Sequence, residues 1–257
     1  MLRLTRVTQY LPRFVGLTLL RRVYRRLLAP DALYRIANFD GDLRLDVNMG
    51  ETIGVNLWHA PRLYERRERE VFCSAVASGC TVLDVGANIG IYTLMAAKRG
   101  GRVYSIEADP LNARRLRHHL AINNLENNVR VYEMAATDRE GIVPIQRNPL
   151  NCGGSSLLTK GAEVVEVCGR TVDSLHLPAV DVCKMDVEGS ELMALHGMRE
   201  TLRRSPQMQL LVEYNRLSDQ VSLLSFLREH FEHISVAGFA ELGSDEPPLD
   251  CNLWAWN

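Results

Sequence analysis

The stretch TVLDVGANIGIYTLM, residues 81–95, reads as a buried strand, a glycine-rich turn and the start of a helix. Val82, Leu83 and Val85 make a short apolar run, and Ile91, Leu94 and Met95 recur at helical spacing. Between them Gly86, Ala87, Asn88 and Gly90 supply a turn that lets backbone approach a ligand closely, with the unpaired N–H groups of a helix N-terminus behind it. Asp84 lies two residues before the first glycine.

Outward from this stretch, strands and helices alternate. Strand 102–106 follows, then a helix over 110–123 with Asp109 as N-cap and Pro110 at its first position. Strand 129–134 comes next. The span from 81 to 106 has βαβ length, which predicts parallel strands. Residues 137–178 break the rhythm with short strand candidates at 142–145, 156–158 and 164–167, around a polar loop containing Gly153, Gly154, Ser155 and Ser156. The alternation resumes with strand 180–185, a helix running to about Leu202, strand 208–213, helix 218–229 and strand 233–237. A last strand, 252–256, is expected as an antiparallel partner inside the sheet. Upstream, Tyr34–Asn38 and Leu43–Val47 flank Asp40-Gly41-Asp42, a hairpin turn signal, and 64–72 is a charged helix.

The chain has 257 residues, 46% hydrophobic and 24% charged, enough for a large α/β domain with a core. Its net charge is −1, but residues 1–30 hold seven arginines and no acid, which leaves −8 for the rest. No nucleic-acid partner is expected of so acidic a body. Residues 14–28 pattern as a basic amphipathic helix with two readings: contact with an anionic membrane surface, or docking on the protein's own core with solvated arginines, the second favoured. No span approaches the roughly 18 apolar residues that cross a bilayer. The six cysteines show no CxxC pair and are read as reduced and mostly buried, which points to a cytoplasmic protein, with peripheral contact at the inner face of a membrane left open.

In an open parallel sheet, ligands bind beyond the carboxyl ends of the strands. Acidic groups gather at these ends: Asp84, Glu107 with Asp109, Asp186 with Glu188, and Glu213. Glu107 lies 23 residues after Asp84, where a carboxylate accepts hydrogen bonds from both ribose hydroxyls of a nucleoside. The turn is DxGxxxG, not the GxGxxG of a dinucleotide site. An acid beside it repels a diphosphate and suits a cation, so S-adenosylmethionine, a sulfonium without phosphate, is preferred over NAD.

DVGANIG, IEADP, the NN-LENNVRVYEMAATDREG stretch, GGSSL and KMDVEGSEL, taken in order, resemble the FkbM family of S-adenosylmethionine-dependent methyltransferases over roughly residues 64–215. The resemblance implies an α/β fold of class I methyltransferase type: a Rossmann-like seven-stranded sheet with helices on both faces, in a methyltransferase domain at 61–257; residues 1–60 lie outside the resemblance and are read from their own pattern as an extension with the basic amphipathic helix and a small β-hairpin. It implies O-methylation of a carbohydrate, lipid-linked saccharide or glycosylated natural product. A polyketide acceptor, a nucleic acid acceptor and a non-catalytic cofactor-binding protein are the alternatives. Carried over by position, Gly86, Ala87, Asn88 and Gly90 wrap the methionine and ribose parts of the cofactor, Asp84 orients the loop, Glu107 holds the ribose and Ala108 sits beside the adenine. In the stretch after the third strand, Ala136 stands where related enzymes place an adenine-binding Asp, so backbone or Asp138 takes that contact.

Asp186 and Glu188, after the fourth strand, are the candidates for base and substrate-orienting group, since a sugar hydroxyl must be positioned and must lose a proton as it attacks. Lys184, Glu213, Ser155 and Ser156 are candidate substrate residues, with Lys184 expected to pair with Asp186 or Glu213. Glu191 is a candidate helix cap or site residue. Asp186, Glu188 and Glu213 also have the chemistry of divalent-cation ligands, although no metal site is assigned. No Asn/Asp-Pro-Pro-aromatic motif follows the fourth strand, which argues against amino methylation of bases.

Overall fold

A computed structural model describes residues 33–147, 163–239, 241–242, 246–248 and 250–257. The 14–28 helix, the 156–158 strand and the Ser155-Ser156 loop lie outside the described residues. The described residues form two compact units that divide between Arg66 and Arg67.

The first unit is built on the hairpin read from the Asp-Gly-Asp turn. Strands β1 (Leu33–Phe39) and β2 (Leu43–Asn48) pair antiparallel, and Arg35 makes a two-pronged ion pair with Asp46 at 2.8 Å. Helix α1 (Thr52–His59) follows and was not expected from the sequence. It buries Ile53, Val55 and Leu57, and Trp58 meets Tyr34 edge to face.

The second unit carries helix α2 (Arg66–Ala75) and then the seven-stranded sheet. Its members in chain order are β3 (Thr81–Val85), β4 (Arg102–Glu107), β5 (Val129–Glu133), β9 (Val182–Met185), β10 (Gln209–Tyr214), β11 (His233–Val236) and β12 (Cys251–Trp256). The spatial order is β11-β12-β10-β9-β3-β4-β5, parallel except for β12, which lies antiparallel between β10 and β11 as anticipated. Strand β3 is the first in sequence and sits between β4 and β9, so the chain order reverses beside it and a crevice opens at its carboxyl end. Both β3 and β9 are buried along their whole length, which is why they read as apolar runs without alternation.

Helices α3 (Ile91–Lys98), α4 (Pro110–Asn123), α5 (Glu191–His196), α6 (Arg199–Arg204) and α7 (Gln220–His230) connect the strands. Asp109 caps α4, accepting from Leu111 N at 2.8 Å. The single helix expected to reach Leu202 is two, broken at Gly197. A Cβ at that glycine would stand 2.0 Å from the Thr137 carbonyl oxygen, so the backbone there is pressed against another segment. A second, three-stranded sheet joins β6 (Ala135–Ala136), just before the 137–178 insertion, to β8 (Glu163–Arg170) and β7 (Gly141–Arg147) within it.

The five described cysteines are free thiols, but only Cys183 is fully buried and Cys168 is exposed, so the expectation of mostly buried thiols holds for one of them. No helix among the described residues is long and apolar enough to cross a membrane.

Candidate functional site

The glycine turn and the segment after β9 meet directly. Gly86 has φ +78, and a Cβ on it would stand 1.8 Å from the Asp186 carbonyl oxygen. Only glycine therefore lets the two strand ends lie side by side, held by Asp186 N donating to Val85 O at 2.9 Å. Gly86 N and Ala87 N both donate to Ile106 O, which fastens the turn to β4 as well. Asn88 takes a left-handed φ of 52, and Gly90, with φ 95, stands at the N-cap of α3.

Glu107 closes this half of the crevice. It is 6% exposed; Asn88 N donates to its Oε2 at 2.6 Å and Asp109 N to its Oε1 at 2.8 Å. Burial pushes its pKa up to about 7, against the pull of those two amides and with a further push from Asp109 and Asp84. Asp84 is 1% exposed and does not reach out of the sheet. Thr93 Oγ1 donates to it at 2.6 Å and lies 2.7 Å from Ser105 Oγ, so the acid anchors α3 to β3 and β4. Burial raises its pKa to about 6. Ala108 packs on the small apolar patch of Ala135, Ile145 and Val167, whereas Ala136 points into the main core. The alanine beside Ala108 is thus Ala135, as strand alternation requires of neighbours.

The other half holds the acids after β9 and β10. Lys184, 2% exposed, stands 3.1 Å from Asp186 Oδ2 and over the ring of Tyr92 at 5.3 Å. Of the two expected partners of Lys184, Asp186 forms an ion pair with it, and the lysine charge also acts on Glu213. Glu188 adopts φ 53 and Gly189 φ 99, a tight turn that leaves Glu188 partly exposed. Burial, then the charges of Asp186 and Glu191, lift the Glu188 pKa to about 7. Glu213 is pushed further up by burial, Asp186 and Glu188, and Asn215 Nδ2 donates to it at 2.6 Å. Glu191 is fully buried: Val187 N and Gly189 N donate to its Oε1, and Ser218 Oγ to its Oε2 at 2.6 Å. It ties the Glu188 turn to the segment after β10. Among the described residues no three His, Cys, Asp or Glu side chains are arranged to hold a metal ion.

A pocket of about 300 Å³ opens beside this cluster, lined by Glu213, Asn215, Arg216, Leu217, Asp250, Cys251 and Asn252. Thr93, Ser105, Arg147, Asn215, Ser218 and Asn252 were not legible in the sequence as site residues. Their places are set by contacts that the fold creates, which leave no local periodicity to read.

The model of the methyltransferase FkbM domain matches residues 84–239, more than half of the chain. The chain belongs to the FkbM methyltransferase family. Its fold resembles that of the FkbM methyltransferase of Methylobacillus flagellatus KT, with a TM-score of 0.51 and 18% identity, over 79% of this chain and 54% of that one. A protein of Clostridium thermocellum assigned as an rRNA methylase has a TM-score of 0.50 and 12% identity, over 74% and 93% of the two chains. The ribosomal protein L11 methyltransferase of Acetivibrio thermocellus is 26% identical over 116 residues, 45% of this chain and 36% of that protein. The chain thus spans about a third of the curated relative and about half of the FkbM structure. The donor half fits a sulfonium nucleoside on its own chemistry: a glycine turn pressed against backbone, and a carboxylate seated on two amides, which accepts hydroxyls and repels phosphate.

Proposed function

We propose that the chain methylates a hydroxyl of a carbohydrate or of a glycosylated acceptor, using S-adenosylmethionine. The observation that carries this reading is the pocket beside the Asp186–Glu188 cluster, in which most of the lining residues carry polar side chains. Its wall offers Glu213, Asn215, Asp250 and Asn252, and the Oδ1 of Asn252 is shielded from solvent with no hydrogen-bond partner among the described residues. Such a wall offers donors and acceptors to a polyhydroxylated ligand, with Leu217 and Cys251 as apolar contacts beside them.

On this reading Gly86, Ala87, Asn88 and Gly90 wrap the methionine and ribose parts of the cofactor, Glu107 takes the ribose hydroxyls on the lone pairs its amides leave open, and Ala108 with Ala135 borders the adenine. The cofactor supplies a methyl group on a sulfonium, a leaving group that needs no activation. Lys184 holds Asp186 in register through their ion pair. Asp186 would then orient the acceptor hydroxyl, and Glu188 would receive its proton as the hydroxyl oxygen takes the methyl group that the bound cofactor would supply. A carboxylate with a pKa of about 7 is a better proton acceptor than an ordinary one and is still substantially ionised at neutral pH. Glu213 and Asn252 hold neighbouring hydroxyls.

The test is incubation with methyl-labelled S-adenosylmethionine and fractionated glycans, lipids, RNA and protein of the source cell. Label in an alkali-stable O-methyl ether of a sugar supports the reading. Label in RNA or in a ribosomal protein, the targets named for two of the relatives, replaces it.

A further inference from the structure

The Glu107 carboxylate is part of a chain of contacts that continues away from the crevice. Asp109, whose amide donates to Glu107, is itself 1% exposed, and its carboxylate is gripped on both oxygens by Arg147: Nε to Oδ2 at 2.8 Å and a terminal nitrogen to Oδ1 at 2.7 Å. Arg147 ends β7 in the three-stranded sheet and also meets Glu163 at 3.1 Å. We infer that Arg147 is a positioning residue of the donor site, which through Asp109 fixes the Glu107 carboxylate and keeps it charged for the ribose hydroxyls. The inference rests on the ribose role proposed for Glu107.

The physical argument concerns like charges. Glu107 is faced by Asp84 from β3 and by Asp109 from the start of α4, and both push its proton affinity up. The Asn88 and Asp109 amides pull it down. Arg147 neutralises Asp109 at a site where burial leaves little solvent to screen it. Without the guanidinium, Asp109 repels the Glu107 charge more strongly, and Glu107 holds its proton to higher pH. A protonated Glu107 turns one oxygen from acceptor to donor and loses the charge-assisted bonds that a carboxylate makes.

The experiment uses S-adenosylhomocysteine as the probe and the full chain, with affinity measured by calorimetry from pH 6 to 8.5. In the Arg147→Met variant, a rise of about one pH unit at Glu107 predicts affinity weakened about fivefold at pH 7 and by less than about twofold at pH 8.5. Asp109→Asn removes the repelling charge while keeping a good helix N-cap, so the Arg147→Met/Asp109→Asn double variant should recover most of the affinity at pH 7. An Arg147 that merely staples the two sheets gives a loss independent of pH and no rescue, and either result overturns the inference. Asp109→Asn alone keeps the test alive should Arg147→Met not fold: its affinity should hold to lower pH than the wild type, and an unmoved pH profile overturns the inference. Wild-type affinity that is flat across the whole range would instead remove Glu107 from the ribose, the reading on which the inference stands.

Discussion

The two halves of the crevice, which we propose serve donor and acceptor, are built from the same residue type and treat it differently. On the first side the carboxylates are held by fixed partners: Glu107 by two backbone amides, Asp84 by Thr93, Asp109 by Arg147 and the Leu111 amide. On the acceptor side Asp186, Glu188 and Glu213 crowd around one lysine, and the charges of Asp186 and Glu188 raise the proton affinity of their neighbours. The first arrangement fixes geometry. The second stores proton affinity in groups that remain partly exposed. A cofactor common to many enzymes asks for the first, and removing a proton from a weakly acidic hydroxyl asks for the second. Gly86 is where they join, because its missing side chain lets the two loops share a backbone contact.

The sharpest way to break the comparison is Glu188→Gln. It should cut methyl transfer by about 10²–10⁴-fold and leave S-adenosylhomocysteine affinity within about twofold, as assays of transfer and calorimetry would show. Next in size is Gly86→Ala, which puts a Cβ against the Asp186 carbonyl in a left-handed backbone conformation. It should cost at least about 2 kcal/mol in urea unfolding and impair both halves together. Glu191→Ala strips the acceptors from two amides and a hydroxyl, so it should destabilise by about 2 kcal/mol and depress transfer more than cofactor binding. The smallest effect is on pH dependence. Transfer should rise as pH passes through about 7, where Glu188 ionises. Stability runs the other way. Asp84 and Glu107 keep their protons in the folded state up to about 6 and 7, whereas the unfolded chain releases them near 4, so their contribution is present at acid pH and is lost as pH rises through 6 to 7. Melting temperatures measured from pH 4.5 to 8 should therefore carry a downward contribution that Glu107→Gln flattens.

What was legible in the chain follows from range. Strands β3 and β9 are buried on both faces and so announce themselves as apolar runs, and Asp109-Pro110 announces a helix because a cap acts within two residues. The antiparallel place of β12 could be expected from its position after a completed alternation. Helix α1 was missed because TIGVNLWH, eight residues with a glycine inside, shows neither clear period, and its helical state is set by what it buries. The break at Gly197 was missed because its cause is Thr137, sixty residues earlier. In the site, the acids at strand ends were readable as positions, yet their partners were not. Arg147 lies 38 residues from Asp109, and Ser218 lies 27 from Glu191. Such pairs are created by the fold and have no spacing of their own. The same holds for Glu191, whose two candidate roles in the sequence resolve into a buried clamp of the Glu188 turn.

The division of labour between the two halves is tested most directly by measuring S-adenosylhomocysteine affinity at pH 7.5 for Glu107→Gln and Glu188→Gln side by side. The account predicts a loss of about tenfold or more for Glu107→Gln, as expected for a charge-assisted hydrogen-bond acceptor, and a change under about twofold for Glu188→Gln. Equal losses in the two variants would contradict it, because the acids after β9 would then belong to the cofactor and not to the acceptor.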